Sequence, residues 1–253
     1  MKKEKKDRLI NLSVSLLTVV FILLFWSVAA AVIGSKFILP SIPQTFNAFG
    51  ELFTDADFYL SLLNTLLRTL IAFAVSFFIA FLFAFLVNKF RRAKYAVEPI
   101  VAICRALPTV AVVLLLLFWT NSKVAPVIVS MLVVLPTAYT NCNAAFDAVD
   151  KDAVEMCRLF NVPQTSVFKK VILPQMTPQL LYSVGAGFSL NLKLMVAAEV
   201  LAATGRSLGN KLNYYNFNLM ISEMLAVVVI TVIIGLTVEL IFNALSKKAG
   251  KKQ

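Results

Sequence analysis

Residues 61–87 read SLLNTLLRTLIAFAVSFFIAFLFAFLV, twenty-seven residues with a single charge, Arg68. As an α-helix this segment is about 40 Å long, more than the ~30 Å of hydrocarbon in a bilayer. It contains no Gly or Pro to stop a helix and no polar–apolar alternation to make a strand. The rest of the chain has the same character. Of 253 residues, 60% are hydrophobic and 15% charged, and the mean hydropathy is +0.84. Soluble domains run near 45–50% apolar and about 25% charged. A soluble chain of this length needs polar surface that this composition does not supply, so lipid is its main solvent.

Five further segments follow from the charge-poor stretches, at 10–33, 97–119, 124–146, 178–201 and 219–245. The first apolar run exceeds the ~7–15 residues of a signal-peptide core and has no clear A-x-A site, so it reads as an anchor. Pro108 and Pro136 are expected to kink their helices. The expectation is an all-α polytopic membrane protein of six transmembrane helices. Residues 1–9 form a tail, 10–246 a transmembrane domain with one long connection at 147–176, and 247–253 a basic tail. The net charge of +11 is a topology signal. Seventeen Lys and Arg fall in the amino terminus, the 88–96 and 147–176 connections and the carboxyl tail, against four in the opposite loops. That bias places both termini in the cytoplasm and leaves no reason to invoke nucleic acid.

The chain has no His, which excludes histidine bases, Ser-His-Asp triads and histidine-ligated metal. Three Cys (Cys104, Cys142, Cys157) do not lie at metal-ligand spacing. No P-loop is present, so no ATP site of that kind is expected, and no cofactor is assigned to the chain. The notable side chains are the charges inside spans: Arg68, Glu98, Arg105, Lys193 and Glu199. Each costs about 2.5–3.5 kcal/mol near the bilayer centre, so such residues face a cavity or a partner. Glu98 and Arg105 are seven apart and share a helix face, which suggests a structural or gate network. Lys193 and Glu199 are six apart and do not share a face, so each pairs with another span or meets a solute. Arg68 snorkels or braces its span.

The 147–176 connection is too long for a turn and too polar for a span. Asp150 or Asp152 suits an N-cap, and the segment to Phe160 has a partly apolar face, so a short cytoplasmic helix is expected, stopped by Pro163. A second short helix at 164–172 is expected to end at Leu173-Pro174. Here Glu155, Met156 and Cys157, then Arg158, Asn161, and Val171-x-Leu173-Pro174 occur in order. This loop resembles the EAA loop of bacterial ABC-importer permeases: E-A-A, three residues, G, nine residues, then I-x-L-P. Asn161 stands at the Gly position, and Asn tolerates the left-handed conformation that a helix end requires.

The likeness extends to the nitrate/sulfonate/taurine branch of these permeases. It is carried by Leu39-Pro40-Ser41, Leu63 and Arg68, Glu98-Pro99, Arg105-Ala-Leu-Pro108, Lys123, Ala198-Glu199, Gly205 and Leu208-Gly209. The branch's G-x-R element is absent, because Ser183 and Gly185 occupy the corresponding positions. The resemblance implies a type I importer permease in the bacterial inner membrane. A separate ABC ATPase would use ATP and dock on the loop through Glu155, Met156, Cys157, Arg158, Asn161, Val171, Leu173 and Pro174. A second permease copy and an extracellular binding protein would complete the assembly. Two other readings compete: an ion-coupled secondary transporter using Lys193 and Glu199, and a membrane enzyme using Asp or Glu.

Overall fold

The computed structural model describes residues 2–251, with the side chains of 2–12 and 15 excluded from the description. Lys252, in the carboxyl tail, lies outside the described residues. Every regular element among the described residues is helical. They are α1 (Lys2–Ile33), α2 (Ile42–Thr54), α3 (Ala56–Lys89), α4 (Lys94–Ala106), α5 (Thr109–Trp119) and α6 (Ala125–Asp147). There follow α7 (Lys151–Leu159), α8 (Gln164–Val167), α9 (Leu173–Leu201), α10 (Leu208–Phe217) and α11 (Ile221–Gly250). Five helical runs are long and apolar enough to cross a membrane, and the α4–α5 pair makes a sixth if counted as one broken span.

The centre of the bundle is α9, which packs against α11, α6, α3 and α10. Close approach is set by small residues. A Cβ on Gly185 would stand 2.7 Å from Phe242 Cβ, and one on Gly187 2.8 Å from the Phe73 ring. Without a hydrophobic driving force between helices in lipid, such close contact supplies the packing energy. In α3 the buried residues include Ser61, Thr65, Thr69, Ala72, Ser76, Ala80 and Ala84, a stripe of small side chains at helical spacing. Its phenylalanines divide by face: Phe73 is buried against Phe188, whereas Phe78 is exposed, a position suited to lipid. None of the apolar stretch Leu16–Ile33 of α1 is buried.

Three expectations are corrected, and the terminal tails, for which no conformation was expected, are seen to be helical. The 97–119 span is two helices, α4 and α5, bent by 96°. Pro108 lacks an N–H and drives Leu107 out of helical geometry, to φ −65°, ψ 125°. The helix at 164–172 does not end at Leu173-Pro174. It widens into a π turn, Phe168–Ile172, in which the Leu173 N–H donates to the Phe168 carbonyl, and runs on as α9 with Pro174 in its first turn. The π turn shifts the hydrogen-bond register just before Pro174, where the proline's missing N–H falls, so the proline is accommodated. The expected tails are also helical. α1 starts at Lys2 and α11 reaches Gly250, as suits Lys, Glu and Arg, which are good helix formers. Finally, α2 and α10 are helices in segments read as loops; Gln44 Oε1 accepts from the Ser41 N–H, and the Ser207 hydroxyl accepts from the Asn210 N–H.

Candidate functional site

At the end of the bundle that carries most of the Lys and Arg, α7 stands apart. Asp150 caps it, its Oδ1 accepting from the N–H groups of Asp152 (2.9 Å) and Ala153 (3.3 Å). The Asp150 N–H donates to Gln175 Oε1 at 2.8 Å, which ties the start of α7 to the first turns of α9. The helix ends in a Schellman motif: Val162 N–H donates to the Cys157 carbonyl and Asn161 N–H to the Arg158 carbonyl, both at 3.0 Å. Asn161 takes φ +53°, the left-handed conformation. No residue of α7 is buried. Met156 is 59% exposed, Leu159 76% and Phe160 78%, beside exposed Glu155 and Arg158. An apolar strip with charges at its edge thus projects from the bundle with nothing packed on it. Val171 is half-buried in the π turn, Leu173 exposed at the start of α9.

The opposite end is locked by polar contacts. Arg68 Nη1 donates to Glu199 Oε1 at 2.9 Å, and Thr65 Oγ1 donates to Glu199 Oε2 at 2.8 Å. Glu199 is completely buried. The Leu208 N–H donates to Thr65 Oγ1 (3.0 Å) and the Gly209 N–H to Glu199 Oε2 (3.4 Å), which fixes the start of α10 onto α3 and α9. One turn deeper, Asn191 Nδ2 donates to the Thr69 carbonyl at 2.8 Å, and its Oδ1 accepts from the Ser130 hydroxyl, adding α6. A buried carboxylate bonded on both oxygens thus ties α3, α9 and α10 together.

A second clamp closes the same end. Lys211 Nζ donates to Asp55 Oδ2 at 2.7 Å and reaches Asp57 Oδ2 at 2.9 Å. The Lys211 hydrogen bond holds the Asp55 carboxyl below the ordinary carboxylate range, against the opposing effect of burial. Burial pulls Lys211 down, but its hydrogen bonds to Asp55 and Asp57 and their charges outweigh that and hold the ammonium above the usual lysine value. Asp55, depressed in the folded state, therefore contributes stability above about pH 4 that is lost as pH falls through its folded value. Lys211, raised, contributes stability below about pH 10 that is lost as pH rises through its folded value. Lys211→Met is expected to cost about 1 kcal/mol or less at neutral pH, because both carboxylates are more than a third exposed. It should also flatten the acid-side fall in thermal stability below pH 4, measured on the detergent-solubilised protein. An acid limb identical to that of the unmodified chain would contradict this assignment.

Between the two ends, the α4–α5 break opens a cavity of about 460 Å³ against α6. Arg105 lies on its wall, with Nη2 3.4 Å from Thr140 Oγ1. Thr109, Thr137 and Asn141 supply further polar groups, and Leu107 and Pro136 apolar ones. Glu98 does not join Arg105. It pairs with Lys94 one turn away at 3.4 Å, with both side chains more than half exposed.

Residues 72–251 match the sequence pattern of the binding-protein-dependent transport system inner membrane components. The chain belongs to that family. No curated protein matches it. Among solved structures, the MetNI methionine ABC transporter in inward-facing conformations superposes with TM-score 0.64 at 16% identity, covering 75% of this chain and 94% of that one. A bacterial ABC transporter involved in import of the acidic polysaccharide alginate gives 0.67 at 16% identity, covering 97% and 98%. An amino acid ABC transporter with histidines gives 0.61 at 19% identity, covering 74% and 92%. The likenesses show a shared fold, that of an ABC-importer permease.

In this permease the intramembrane charges seen in sequence separate into different roles. Arg68 and Glu199 meet, although 131 residues apart. Lys193 is exposed on α9 and is not among the partners of Glu199, so the two do not form a relay by direct contact. Sequence reasoning missed Thr65, Asn191 and the Lys211 clamp. Thr65 sits three residues before Arg68, on the same face of α3, and that spacing was the available signal.

Proposed function

We propose that this inner-membrane component is the permease subunit of an ATP-driven importer, moving a small solute that an extracellular binding protein delivers. In this reading both termini face the cytoplasm of a bacterial cell, as the Lys and Arg distribution suggests. A separate ABC ATPase docks on α7, and a second copy of the chain completes the pathway about a two-fold axis. The observation that carries the proposal is α7 itself: a capped and terminated helix without one buried residue, at the basic end, with Met156, Leu159 and Phe160 turned outward.

The chemistry of ATP belongs to the partner subunit; this chain supplies the lever. Met156 and Cys157 fill the ATPase cleft with Leu159 and Phe160, while Glu155 and Arg158 set orientation. Asn161 ends the helix, and Val171, Leu173 and Pro174 carry its displacement into α9. ATP binding shifts the permease between inward-open and outward-open states to the extent that the ATPase grips α7 differently in each. Arg105 and Lys193 are the candidates for lining the pathway, and Glu98 flanks its cytoplasmic mouth. Arg68 and Glu199 brace the far gate.

Glu155→Ala is expected to lower ATP-driven uptake about tenfold, a loss of about 1.4 kcal/mol of coupling, with normal insertion in the membrane. Deleting 155–160 should also abolish retention of the ATPase on purification. Uptake left intact by both changes, in a chain that retains no ATPase, overturns the proposal.

A further inference from the structure

The corner between α3 and α4 gathers cations and aromatic rings on one spot. Phe90 is extended and ends α3, and Arg91–Ala93 form a single 3-10 turn before α4. Lys89, Arg91, Arg92 and Lys94 are all exposed there, four cations within six residues. Phe90 and Tyr95, 53% and 81% exposed, stand among them. Lys89 Nζ lies 5.8 Å from the centre of the Phe85 ring and 5.4 Å from that of Phe90. The fold adds cations from far along the chain. The Phe85 ring meets that of Phe168 edge-on, centroids 6.0 Å apart. That contact sets the π turn, with exposed Lys169 and Lys170, against the end of α3. Glu98 is engaged by Lys94.

Cations at this end satisfy the charge bias of a membrane protein wherever along it they lie. The bias does not require the surface that leads to them. On α3, Ile71, Val75, Phe78 and Leu82 are exposed at helical spacing and make one apolar stripe. Lys89 continues that stripe two turns beyond Leu82. From Phe78 to Lys89 is about 16 Å of helix, close to the hydrocarbon depth of one leaflet. An acyl chain laid along this stripe therefore ends with its headgroup at Lys89. Aromatic rings such as Phe90 and Tyr95 beside the cations suit the boundary between hydrocarbon and water. Arg91 and Arg92 bring guanidinium forks, which match phosphate oxygens in geometry as well as charge. An acidic protein surface would meet the same cations but would leave the apolar stripe unused.

We propose that the α3–α4 corner is a binding site for an anionic phospholipid. The headgroup phosphate sits among Lys89, Arg91 and Arg92, Lys169 and Lys170 add attraction from the π turn, and one acyl chain follows the α3 stripe. α4 begins at Lys94, so the lipid braces the first turn of the helix that ends at the α4–α5 break. The site belongs to the membrane fold and stands apart from the import reading.

The test uses the full-length chain in phosphatidylcholine nanodiscs. Tyr95→Trp places an indole at the corner, and Trp26→Phe with Trp119→Phe removes the two native ones. Lipids brominated on the acyl chain quench an indole that they touch. Brominated phosphatidylglycerol should quench at a mole fraction about fivefold lower than brominated phosphatidylcholine, as expected for one cation near a headgroup. Arg91→Gln with Arg92→Gln should bring that ratio to near unity, and Arg91→Lys with Arg92→Lys should keep most of it. Lys247→Gln with Lys248→Gln, an exposed basic pair on α11, should leave it unchanged. Equal quenching by the two lipids, or the same loss from the α11 pair, overturns the proposal. An unchanged ratio in the glutamine variant overturns it too, and loss of a co-purifying ATPase from that variant would then assign the corner to an acidic protein surface.

Discussion

Arg68→Ala is expected to destabilise the folded permease by about 3–5 kcal/mol, the usual cost of stripping one partner from a buried ion pair. The effect is large because of what remains. Glu199 is completely buried, and its other contacts, the Thr65 hydroxyl and the Gly209 N–H, stabilise its charge without cancelling it. The carboxylate must then take up a proton or drag water between α3, α9 and α10. Either outcome loosens the attachment of α10, whose first N–H groups depend on Thr65 and Glu199. The expected signature is early thermal unfolding in detergent, together with new protease cleavage in the 202–207 connection. The double change Arg68→Met with Glu199→Gln should recover much of the loss, since no unpaired charge is left. A single Arg68→Ala protein as stable as the parent would refute the role given to the pair.

Gly209→Ala is expected to cost about 3 kcal/mol, at the upper end of overpacking effects. A Cβ there would lie 2.5 Å from Glu199 Cβ and 2.5 Å from the Val200 backbone nitrogen. The obstacle is backbone, so no rotamer change relieves it, and α10 must back away from α9. Moving α10 also lengthens the Gly209–Glu199 contact, so this change and Arg68→Ala should be non-additive when combined. Gly50→Ala provides the control. Gly50 lies in α2 with no atom within 4 Å of a built Cβ, so alanine there should stabilise by about 0.5–1 kcal/mol through helix propensity. Equal thermal stability of the two variants would refute the close-approach argument.

What could be read from sequence was set by distance along the chain. Apolar length and the Lys and Arg bias outlined the membrane helices, because lipid imposes that pattern locally. The α7 helix was legible for the same reason: Asp150 as cap, an apolar strip, and Asn161 at the terminus lie within a dozen residues. The Leu107-Pro108 break was half legible. A proline announces a disturbance, but a kink and a 96° corner look alike in sequence. Likewise Leu173-Pro174 read as a stop, because nothing nearby announces a π turn that leads a proline into a helix start. The Arg68–Glu199 pair was not legible, since its members belong to helices whose contact is a tertiary fact. Glu98 and Arg105 failed in the opposite way: their spacing placed them on one face, but Lys94 lies nearer to Glu98.

The helical run from Gln164 to Leu201 has a mechanical consequence. It passes without interruption from the segment beneath α7 to the carboxylate that fastens the opposite end of the bundle. At 38 residues it is about 57 Å of helix. Its π turn, Phe168–Ile172, lies near the α7 end, and α9 alone joins that end to Glu199. On the proposed reading, a force applied near Gln175 would reach Glu199 through α9 itself, so opening one mouth of the passage and sealing the other would be a single stroke.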